Sequence, residues 1–515
     1  AATTTVYPNT GIDEIEYILT DCVAVALVVE NAEQLAKVQT SETLMKQLHT
    51  IVVMEPEGVE LGEKLLSLAQ LRQLGREHLQ VHPDAVDKAI DSTHQDTLST
   101  LIYTSGTTGR PKGVRLTHVC WVYEAAGTLT YELLDENDIQ YLWLPLSHVF
   151  GKVLLAVQMG YGFCTAVDGR VERIVDGLAE VKPTFMCGAP RIFEKVRAAV
   201  FTNNTGVKAM LARWAFGVGA YSRKYRLAGE ALPWWLKPGY AIADKLVFSK
   251  LRDRLGGRIR FMISGSAKLN PQVQSWFYSA GILIIEGYGS TETSAVAFLN
   301  LPDDPRFGTI GQPFPGIEAK LADDGELLMR GPIVTKGYHN LPERTAEVLE
   351  DDGWFHTGDI AEADEDGYYR ITDRKNDMFK TSGGKWIAPQ KVESTITTNI
   401  PYISQAVAVG RGRKYCSALI VLDPVLLQKW AEKHEMTHLS YAELSQLPEI
   451  HASIERLLPL ANDRLERWET VKRFAILDHE LTIENGGVTA NMKIRRGLIR
   501  RRYADLIESL YDKED

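Results

Sequence analysis

The chain alternates between short apolar runs and amphipathic stretches from its start as far as Asn300. The stretch from Val171 to Val181 has helical apolar spacing, whereas the short runs are continuous and rich in β-branched residues. Continuous apolar strands between helices are typical of parallel sheets covered on both faces. The sequence therefore predicts an α/β fold with stacked sheets. The predicted buried strands are residues 25–29, 51–54, 101–103, 142–144 and 282–285.

The pattern changes at Gly308, where the apolar runs become shorter and turn residues become more frequent. Gly325, Gly353 and Gly367 each follow an aspartate, and Asp-Gly pairs are typical of tight turns. Helical periodicity is largely absent from the same region. We therefore expect a β-rich subdomain at residues 308–373.

The last part of the chain predicts a second, smaller domain. Apolar runs near residues 406–409 and 418–422 predict strands, and a basic helix is expected near the end. Residues 1–373 are accordingly interpreted as a large N-terminal domain and residues 374–515 as a small α+β domain.

Charge and cysteine content narrow the function. The net charge is -10, which argues against a nucleic-acid-binding surface. The five cysteines are an odd number, are widely spaced and include no CxxC pair, so neither a disulfide framework nor a zinc site is expected. This usage fits a reducing compartment. A run of about 18 apolar residues, which could cross a bilayer, does not occur, so no transmembrane segment is expected.

The strongest local motif is the segment from Tyr103 to Gly113, which directly follows an apolar strand. Its glycines permit close backbone approach, and successive N–H groups can form a nest for anionic oxygens. The side chain of Lys112 adds a positive charge. Pro111 before this lysine excludes a Walker A loop, so the motif predicts a different polyphosphate site. The loop residues expected to bind phosphate are Thr104, Ser105, Gly106, Thr107, Thr108 and Gly109.

A second motif follows the strand predicted at residues 282–285. Tyr288 is suited to stacking on a purine ring, and Thr291 and Glu292 are suited to holding a phosphate and its Mg²⁺, because hard cations prefer oxygen ligands. Thr104 is the other candidate Mg²⁺ ligand. An isolated acidic residue after a strand is usually a helix cap, but beside the first loop it indicates the metal end of an ATP site. The expected nucleotide contacts here are Glu286, Gly287, Tyr288, Gly289 and Thr291.

A third motif pairs Thr357-Gly358-Asp359 with Asp373-Arg374. A carboxylate in a tight turn, such as Asp359, can accept hydrogen bonds from both hydroxyls of a ribose. Arg374 can reach the same sugar or a phosphate. The alternative for this pair alone is a salt-bridged turn.

Together these motifs resemble those of the adenylate-forming superfamily of acyl-CoA synthetases, luciferases and nonribosomal adenylation domains. Pro145 to Phe150, the segment 373–386 and Lys493 follow the same order. Residues 188–195, Ser264 to Ala267, and Trp386 to Pro389 resemble the bacterial long-chain acyl-CoA synthetase branch. The family has further residues ahead of this chain's Ala1, so we expect the first sheet to lack its N-terminal portion.

The resemblance implies a catalytic role for Lys493, whose ammonium would bridge the substrate carboxylate and the α-phosphate. It also implies that the small domain rotates between two half-reactions about a hinge near Asn376, where lysine or aspartate is usual. Lys112, His148 and Glu292 are the other catalytic candidates. The remaining implied contacts are Ser266, Ala267, Lys380 and Trp386 with nucleotide or thiol, Phe150 and Gly188 with the acyl substrate, and Gly383 and Gly384 with pantetheine.

The implied activity is ATP-dependent ligation of a long-chain fatty acid to coenzyme A, with Mg²⁺. An acyl-AMP ligase, an acyl-ACP synthetase and a non-catalytic homologue are the alternatives. We expect residues 185–188 and 209–248 to line or surround an apolar tunnel for the acyl chain. A cytoplasmic location is expected. Peripheral membrane contact through Trp234 and Trp235, and a homodimer, are left open.

Overall fold

The computed structural model describes residues 1–104, 110–202, 206–400, 402–482, 485–488 and 494–511. Its strands are β1 Thr3–Thr4, β2 Ala26–Val29, β3 Thr50–Val53, β4 Leu65–Ser67, β5 Leu98–Thr104, β6 Lys112–Thr117, β7 Ile139–Leu142, β8 Cys164–Val167, β9 Phe185–Gly188, β10 Phe261–Ser264, β11 Leu283–Tyr288, β12 Phe298–Leu299, β13 Gln312–Pro313, β14 Glu318–Leu321, β15 Glu326–Arg330, β16 Phe355–Ala363, β17 Tyr369–Arg374, β18 Phe379–Lys380, β19 Trp386–Ile387, β20 Ile403–Val409, β21 Cys416–Leu422 and β22 Val471–Ile476.

The helices connect and cover these strands. They are α1 Ile12–Asp21, α2 Ala32–Gln39, α3 Glu42–Gln47, α4 Leu68–Val81, α5 Ala85–Asp91, α6 His118–Leu129, α7 Val149–Tyr161, α8 Ile174–Val181, α9 Pro190–Thr202, α10 Gly206–Leu227, α11 Lys237–Ala243, α12 Ser249–Arg254, α13 Pro271–Ser279, α14 Pro342–Ala346, α15 Pro389–Asn399, α16 Pro424–Lys433, α17 Tyr441–Ser445, α18 Pro448–Asn462, α19 Arg496–Arg502 and α20 Ala504–Ser509.

The largest sheet of the described chain has the strand order β13-β12-β11-β10-β9-β7-β8. Strands β7 to β11 are parallel, as the continuous apolar runs predict, and β12 and β13 add an antiparallel edge. Phe185, Met262 and Ile284 lie on neighbouring strands in the main hydrophobic core. The predicted α/β class is confirmed, and the carboxyl ends of β9, β10 and β11 lie side by side.

Two strand predictions need correction. Strand β7 ends at Leu142, so Trp143 and Leu144 are buried but lie beyond the strand. Strand β2 is not buried on both faces, because it is the edge of the sheet β2-β3-β4, and the side chain of Val28 is 58% exposed. An apolar run does not distinguish an edge strand from a central one.

The predicted β-rich region contains the antiparallel sheet β14-β15-β16-β17. Gly325 lies between β14 and β15 with a φ of 82°, and Gly367 lies between β16 and β17 with a φ of 80°. These left-handed conformations favour glycine and explain the Asp-Gly pairs at both turns. Opposite each other on β16 and β17 are Asp359 and Arg374.

The last sheet has the order β20-β21-β22 and carries a hydrophobic cluster on each face. Ala418 and Ile420 of β21 belong to one cluster, and Leu419 and Val421 belong to the other. This alternation explains why the run is apolar at every position. Helix α15 packs on β20 and leads from the region of the hinge into this sheet.

In the described part of the chain, no helix has both the length and the apolar composition needed to cross a membrane.

Candidate active site

A cavity of about 1140 Å³ opens at the carboxyl ends of β9, β10 and β11. This edge of a parallel sheet is where α/β proteins usually bind ligands. Residues from both sequence-predicted domains contribute to its wall. Fourteen of the predicted site residues line it: Thr104, Lys112, His148, Phe150, Ser266, Ala267, Glu286, Gly287, Tyr288, Gly289, Thr291, Glu292, Asp359 and Arg374.

Lys112 is positioned by an antiparallel hairpin. Strands β5 and β6 pair so that Thr104 lies directly opposite Lys112, on either side of the predicted phosphate loop. Below them, the hydroxyl of Tyr103 donates a hydrogen bond to Asp21 at 2.6 Å. The two ends of the loop are therefore held together at the cavity. Ser105, Gly106, Thr107, Thr108 and Gly109 lie outside the described residues.

Tyr338 connects Lys112 to Glu292. The ammonium of Lys112 lies 4.4 Å from the centre of the Tyr338 ring. The hydroxyl of Tyr338 donates a hydrogen bond to Oε1 of Glu292 at 2.9 Å. Burial and the neighbouring Glu292 raise the pKa of Tyr338, so the phenol remains a donor at neutral pH. A cation and a carboxylate thus face the same part of the cavity, as a site for phosphates and a metal requires.

Tyr288, Asp359 and Arg374 form a second polar group. The hydroxyl of Tyr288 donates to Oδ2 of Asp359 at 2.6 Å, and Nε of Arg374 lies 3.2 Å from Oδ1. Burial, followed by the effect of Asp359, raises the pKa of Tyr288 well above its ordinary value. The Asp359 carboxylate also raises the pKa of Arg374. Each carboxylate oxygen retains acceptor capacity, which suits Asp359 to the two hydroxyls of a ribose.

Glu286 and Gly289 have structural reasons for their positions. Glu286 is buried and accepts a hydrogen bond from the backbone N–H of Leu269 at 3.0 Å, and burial raises its pKa to about 7. A Cβ at Gly289 would lie 1.9 Å from the carbonyl oxygen of Ala295. Glu286 thus ties β11 to the segment after β10, and Gly289 allows the turn that carries Glu292 to pack closely against Ala295.

His148 and Phe150 begin helix α7. Nδ1 of His148 accepts a hydrogen bond from the backbone N–H of Phe150 at 3.2 Å and thereby caps the helix. The ring of Phe150 lies over the end of β10, where a Cβ on Gly265 would come within 2.9 Å of it. The glycine in the Ser-Gly-Ser-Ala motif therefore makes room for Phe150 at the mouth of the cavity.

An apolar arm of the cavity extends along α7. Phe150, Val153, Leu154, Val157 and Tyr161 all line it and recur every three or four residues, so they share one face of the helix. The distance from Phe150 to Tyr161 along the helix axis is about 16 Å at the usual rise per residue. The facing wall comes from Phe185, Cys187, Phe261 and Ile263.

The far end of this arm lies near the end of α6. Thr128, Leu133 and Leu134 line it, and the hydroxyl of Tyr161 donates to the carbonyl oxygen of Thr128 at 2.6 Å. This hydrogen bond ties α6 to the end of α7. The ends of α6 and α7 therefore meet at this part of the cavity wall.

The tunnel prediction is half correct. Phe185 and Cys187 line the apolar arm, as expected. For residues 209–248, all of which the structure describes, the prediction that they line the tunnel is wrong, because none of them contributes to the wall of this cavity. Gly188 lies between two lining residues without lining the cavity, and the position of its missing Cβ is 3.4 Å from Phe193 and Trp143.

Lys493 also lies outside the described part of the chain. The residues that follow it, Ile494, Arg495 and Arg496, line the cavity. Glu393 of α15 lines it as well, so the small domain presents this side to the cavity. The proposed catalytic role of Lys493 stays a prediction that the position of its neighbours supports.

The other predicted face of the small domain points elsewhere. Lys380 and Trp386 pair across β18 and β19, with the Lys380 ammonium 4.7 Å from the centre of the Trp386 ring. Gly383 and Gly384 are exposed in the turn between these strands. None of these four residues lines the cavity. Their expected contacts with nucleotide, thiol or pantetheine remain predictions.

The sequence argument assigned no role to Tyr338, Glu326 or Lys375. Glu326 accepts a hydrogen bond from the backbone N–H of Gly358 at 2.9 Å, and its other oxygen lies 2.8 Å from the ammonium of Lys375. Both Glu326 and Lys375 line the cavity. Lys375 stands directly after Asp373-Arg374, so its place in that motif was the available signal.

Two family profiles cover most of the chain. Residues 1–339 match the AMP-binding enzyme family, and residues 376–515 match the AMP-binding enzyme C-terminal domain. The chain belongs to the AMP-binding enzyme family. The name of this family agrees with the nucleotide-binding role that the sequence motifs predict.

This AMP-binding enzyme has relatives that match it over nearly its whole length. It is 33% identical over 522 residues to the long-chain-fatty-acid–CoA ligase FadD15 of Mycobacterium bovis, a match covering 100% of this chain and 84% of the relative. It is 30% identical to the long-chain-fatty-acid–CoA ligase ACSBG2 of Xenopus laevis, with 98% and 72% covered.

Solved structures share the fold of this AMP-binding enzyme. The anthranilate CoA ligase AuaEII in complex with anthranoyl-AMP aligns with a TM-score of 0.69 at 23% identity, covering 99% of this chain and 84% of that one. The adenylation domain of a carboxylate reductase from Mycobacterium chelonae aligns with a TM-score of 0.70 at 21% identity, with 99% and 77% covered. The architecture is that of adenylate-forming enzymes.

Proposed function

We propose that this AMP-binding enzyme is a long-chain fatty acid:CoA ligase. It would use ATP to convert the fatty acid to acyl-AMP with release of pyrophosphate, and would then pass the acyl group to coenzyme A with release of AMP. The observation that carries the proposal is the single cavity, which joins the polar group around Lys112 and Glu292 to the apolar arm along α7.

The first half-reaction needs alignment and charge neutralisation rather than a nucleophilic side chain. The fatty carboxylate would lie near His148 and Phe150, between the apolar arm and the phosphates, and one of its oxygens would attack the α-phosphorus. Lys112 would balance charge on the polyphosphate. Lys493 would bridge the carboxylate and the α-phosphate as pyrophosphate leaves.

The nucleoside would be held by the other polar group. Asp359 would accept hydrogen bonds from the ribose hydroxyls while Arg374 holds it in position. Tyr288 would pack against the purine. Ser266 and Ala267, directly after β10, would contact the nucleotide from the other side of the cavity.

Mg²⁺ is part of the proposal because the donors fit it. Glu292 and Thr104 offer oxygen atoms at the phosphate end, and hard cations prefer oxygen ligands. The bound ion would neutralise phosphate charge. The hydrogen bond from Tyr338 fixes the orientation of the Glu292 carboxylate.

The second half-reaction requires a different face of the small domain. We propose that residues 374–515 turn as a unit relative to residues 1–373, with the pivot near Asn376. Immediately before the pivot, Lys375 is bound to Glu326, and immediately after it, Asp377 lies 3.4 Å from Arg496 of α19. Lys375 is thus bound to the large domain and Asp377 to the small domain. The backbone of Asn376, between them, would therefore take up the rotation.

The arrangement described here suits adenylation, because the residues after Lys493 line the cavity and the β18–β19 turn does not. Rotation would bring Gly383 and Gly384 to the cavity, where their lack of side chains would let the pantetheine arm pass. Lys380 and Trp386 would move with them. Coenzyme A is therefore the proposed acceptor.

The experiment is ATP–pyrophosphate exchange across fatty acids of increasing length, followed by thioester formation with coenzyme A or with holo-ACP. We expect exchange to rise with chain length until the apolar arm is filled, and thioester to form with coenzyme A. Exchange without any dependence on a fatty acid would refute the ligase. Thioester with holo-ACP alone would identify an acyl-ACP synthetase, and acyl-AMP without either thioester an acyl-AMP ligase.

We also propose that the enzyme works in the reducing cytoplasm and meets its fatty acid at the inner face of the membrane. All five cysteines are free, and burial raises the pKa of Cys187 to about 12, which keeps its thiol protonated. A homodimer is a further alternative, and sedimentation at increasing protein concentration tests it.

A further inference from the structure

Helix α10 is apolar on two opposite faces. One face packs against α13 and α11 in the interior. The buried residues on that face follow helical spacing: Ala212, Ala215, Phe216, Gly219 and Ser222. A surface helix normally has one apolar face, which it buries against the protein core, and this face of the 22-residue helix α10 fits that pattern.

The opposite face of α10 is also apolar but faces solvent. Val207, Met210, Trp214 and Tyr221 recur at three-, four- and seven-residue intervals, and Met210 and Tyr221 are 64% and 70% exposed. Gly217 fills the remaining position of this stripe. Large apolar side chains in a continuous exposed row are unusual for a monomeric surface and mark an interaction site.

Two exposed tryptophans follow α10 along the chain. Trp234 and Trp235, in the connection to α11, are 82% and 56% exposed. Helix α11 is fixed beside α10, because Arg226 at the end of α10 donates a hydrogen bond to the hydroxyl of Tyr240 at 2.9 Å. We name the combined surface the docking face and define it as Val207, Met210, Trp214, Tyr221, Trp234 and Trp235.

The segment that carries the docking face is strongly basic. Residues 206–254 contain ten Lys and Arg against three Asp and Glu, a net charge of +7, in a chain whose net charge is -10. Lys208, Arg213, Lys224 and Lys237 are exposed, and in the described part of the chain none of the four has a carboxylate within 4.0 Å. Their charge is available to an anionic partner.

We propose that the docking face binds the surface of an anionic lipid bilayer. Trp and Tyr side chains favour the depth of the lipid headgroups, and Lys and Arg around an apolar helix face add attraction to anionic lipids. The inference rests on the proposed function, because a long-chain fatty acid dissolves in membranes and a ligase bound there would meet its substrate. It assigns a surface role to the exposed side chains of residues 206–254, a segment that overlaps the residues 209–248 expected from sequence to line or surround the tunnel.

The positive charge of residues 206–254 favours an anionic bilayer over a second copy of the chain as the partner of the docking face. The three- and four-residue spacing of the stripe is also that of a helix pair. A symmetric dimer through this face would bring two segments of charge +7 together, and like charges at an interface oppose association. An anionic bilayer turns the same charge into attraction.

The test is co-sedimentation of the full chain with vesicles of phosphatidylcholine alone or of phosphatidylcholine and phosphatidylglycerol in equal amounts. We expect binding to the anionic vesicles only, and weaker binding as the salt concentration rises. Replacing Met210, Tyr221 and Trp234 with Gln should weaken binding at least about tenfold. Replacing Lys208, Arg213, Lys224 and Lys237 with Gln should weaken it on the order of a hundredfold.

Matched controls separate position from composition. Ile90 on α5 is 63% exposed, and Ile90→Gln should leave vesicle binding unchanged. A quadruple Gln variant at the exposed Lys433, Arg456, Arg464 and Lys472 changes the net charge by the same amount and should bind as the wild type does. Equal losses in the two quadruple variants would overturn the proposal. So would wild-type binding to neutral vesicles of the same strength, or a dimer that the docking-face variant dissolves.

Failure of this inference is distinguishable from failure of the proposed ligase. Vesicle binding is measured without substrate, and ATP–pyrophosphate exchange is measured without vesicles on a water-soluble, medium-chain acid. The docking-face variants should retain that exchange. Vesicle binding without exchange would refute the ligase alone, and exchange without vesicle binding would refute the docking face alone.

Discussion

Arg496 and Glu393 form a buried, two-pronged ion pair, in which Nη2 of the arginine lies 2.6 Å from Oε2 of the glutamate. The backbone N–H of Ala408 donates to the other carboxylate oxygen at 2.7 Å. Nε of Arg496 lies 3.4 Å from Asp377, directly after the hinge. The start of α19, three residues after Lys493, is thus tied to α15, to β20 and to the hinge.

The first prediction concerns the stability of the small domain. Arg496→Met would leave the Glu393 carboxylate buried without its cation, and such a loss typically costs about 3–5 kcal/mol of unfolding free energy. Arg496→Met combined with Glu393→Gln should recover most of that loss, because Gln remains an acceptor for the Ala408 N–H and carries no charge. Denaturant unfolding monitored by circular dichroism measures both.

An exposed pair is the control for this prediction. Arg344 and Glu347 lie 2.8 Å apart on α14, and both side chains are more than half exposed. Arg344→Met should change the unfolding free energy by less than about 1 kcal/mol. A double variant no more stable than Arg496→Met alone would show that the ion pair itself, rather than relief of a buried charge, stabilises the domain.

The second prediction separates the two half-reactions. Lys493→Ala should reduce acyl-dependent pyrophosphate exchange on the order of a hundredfold or more, because a cation that stabilises the transition state is removed. Thioester formation from a supplied acyl-adenylate should change little, since that step uses the other face of the small domain. Lys472→Ala, on the exposed edge of β22, is the matched control. Equal losses in both half-reactions would contradict the exchange of faces.

The third prediction concerns the fatty acid chain length that the apolar arm along α7 accepts. Val153 and Val157 both line the apolar arm and lie one helical turn, about 6 Å, apart. The longest fatty acid that Val153→Phe accepts should therefore be shorter than the longest one that Val157→Phe accepts. Exchange rates across chain lengths measure both limits. Met159→Phe on the exposed side of the same helix should leave the length profile unchanged. Identical cut-offs for the two valine variants would place the acyl chain elsewhere.

The nucleotide part of the site was accessible from sequence because it is built locally. Thr104, Glu286 and Tyr288 belong to strands that their apolar runs reveal, and Glu292 lies four residues beyond the end of β11. The end of a strand fixes where the next residues project. Tyr338 was not accessible in the same way. It reaches Glu292 from a loop 46 residues further along the chain, and short-range patterns contain no information on such contacts.

The acyl part was harder to predict because a cavity wall and a packed core show the same apolar helical spacing. Helices α7 and α10 both have apolar stripes, yet Val157 lines the cavity whereas Met210 faces solvent. Only tertiary packing decides between them. The prediction that residues 209–248 line the tunnel failed for this reason, and Met210, Trp214 and Tyr221 of this region are exposed to solvent.

The last prediction concerns the pH dependence of stability at Asp373, which is buried beside the hinge. Burial raises its pKa from 3.8 to about 7; Asp377 and Glu393 contribute in the same direction, while Arg496 and the Arg374 N–H oppose it. The unfolded chain loses this proton above a pH of about 4, so the folded chain binds more protons between about pH 4 and about pH 7. The contribution of Asp373 to stability is therefore lost as the pH rises through this window.

Asp373→Asn mimics the protonated carboxyl and removes this loss. Relative to the wild type, the melting temperature of the variant should increase steadily between about pH 4 and about pH 7 and level off above that range. The exposed Asp505→Asn is the control for the loss of one carboxylate. A difference for Asp373→Asn that stays constant over this range would mean that Asp373 has the same pKa in the folded and unfolded chains, so that hinge burial does not hold its proton.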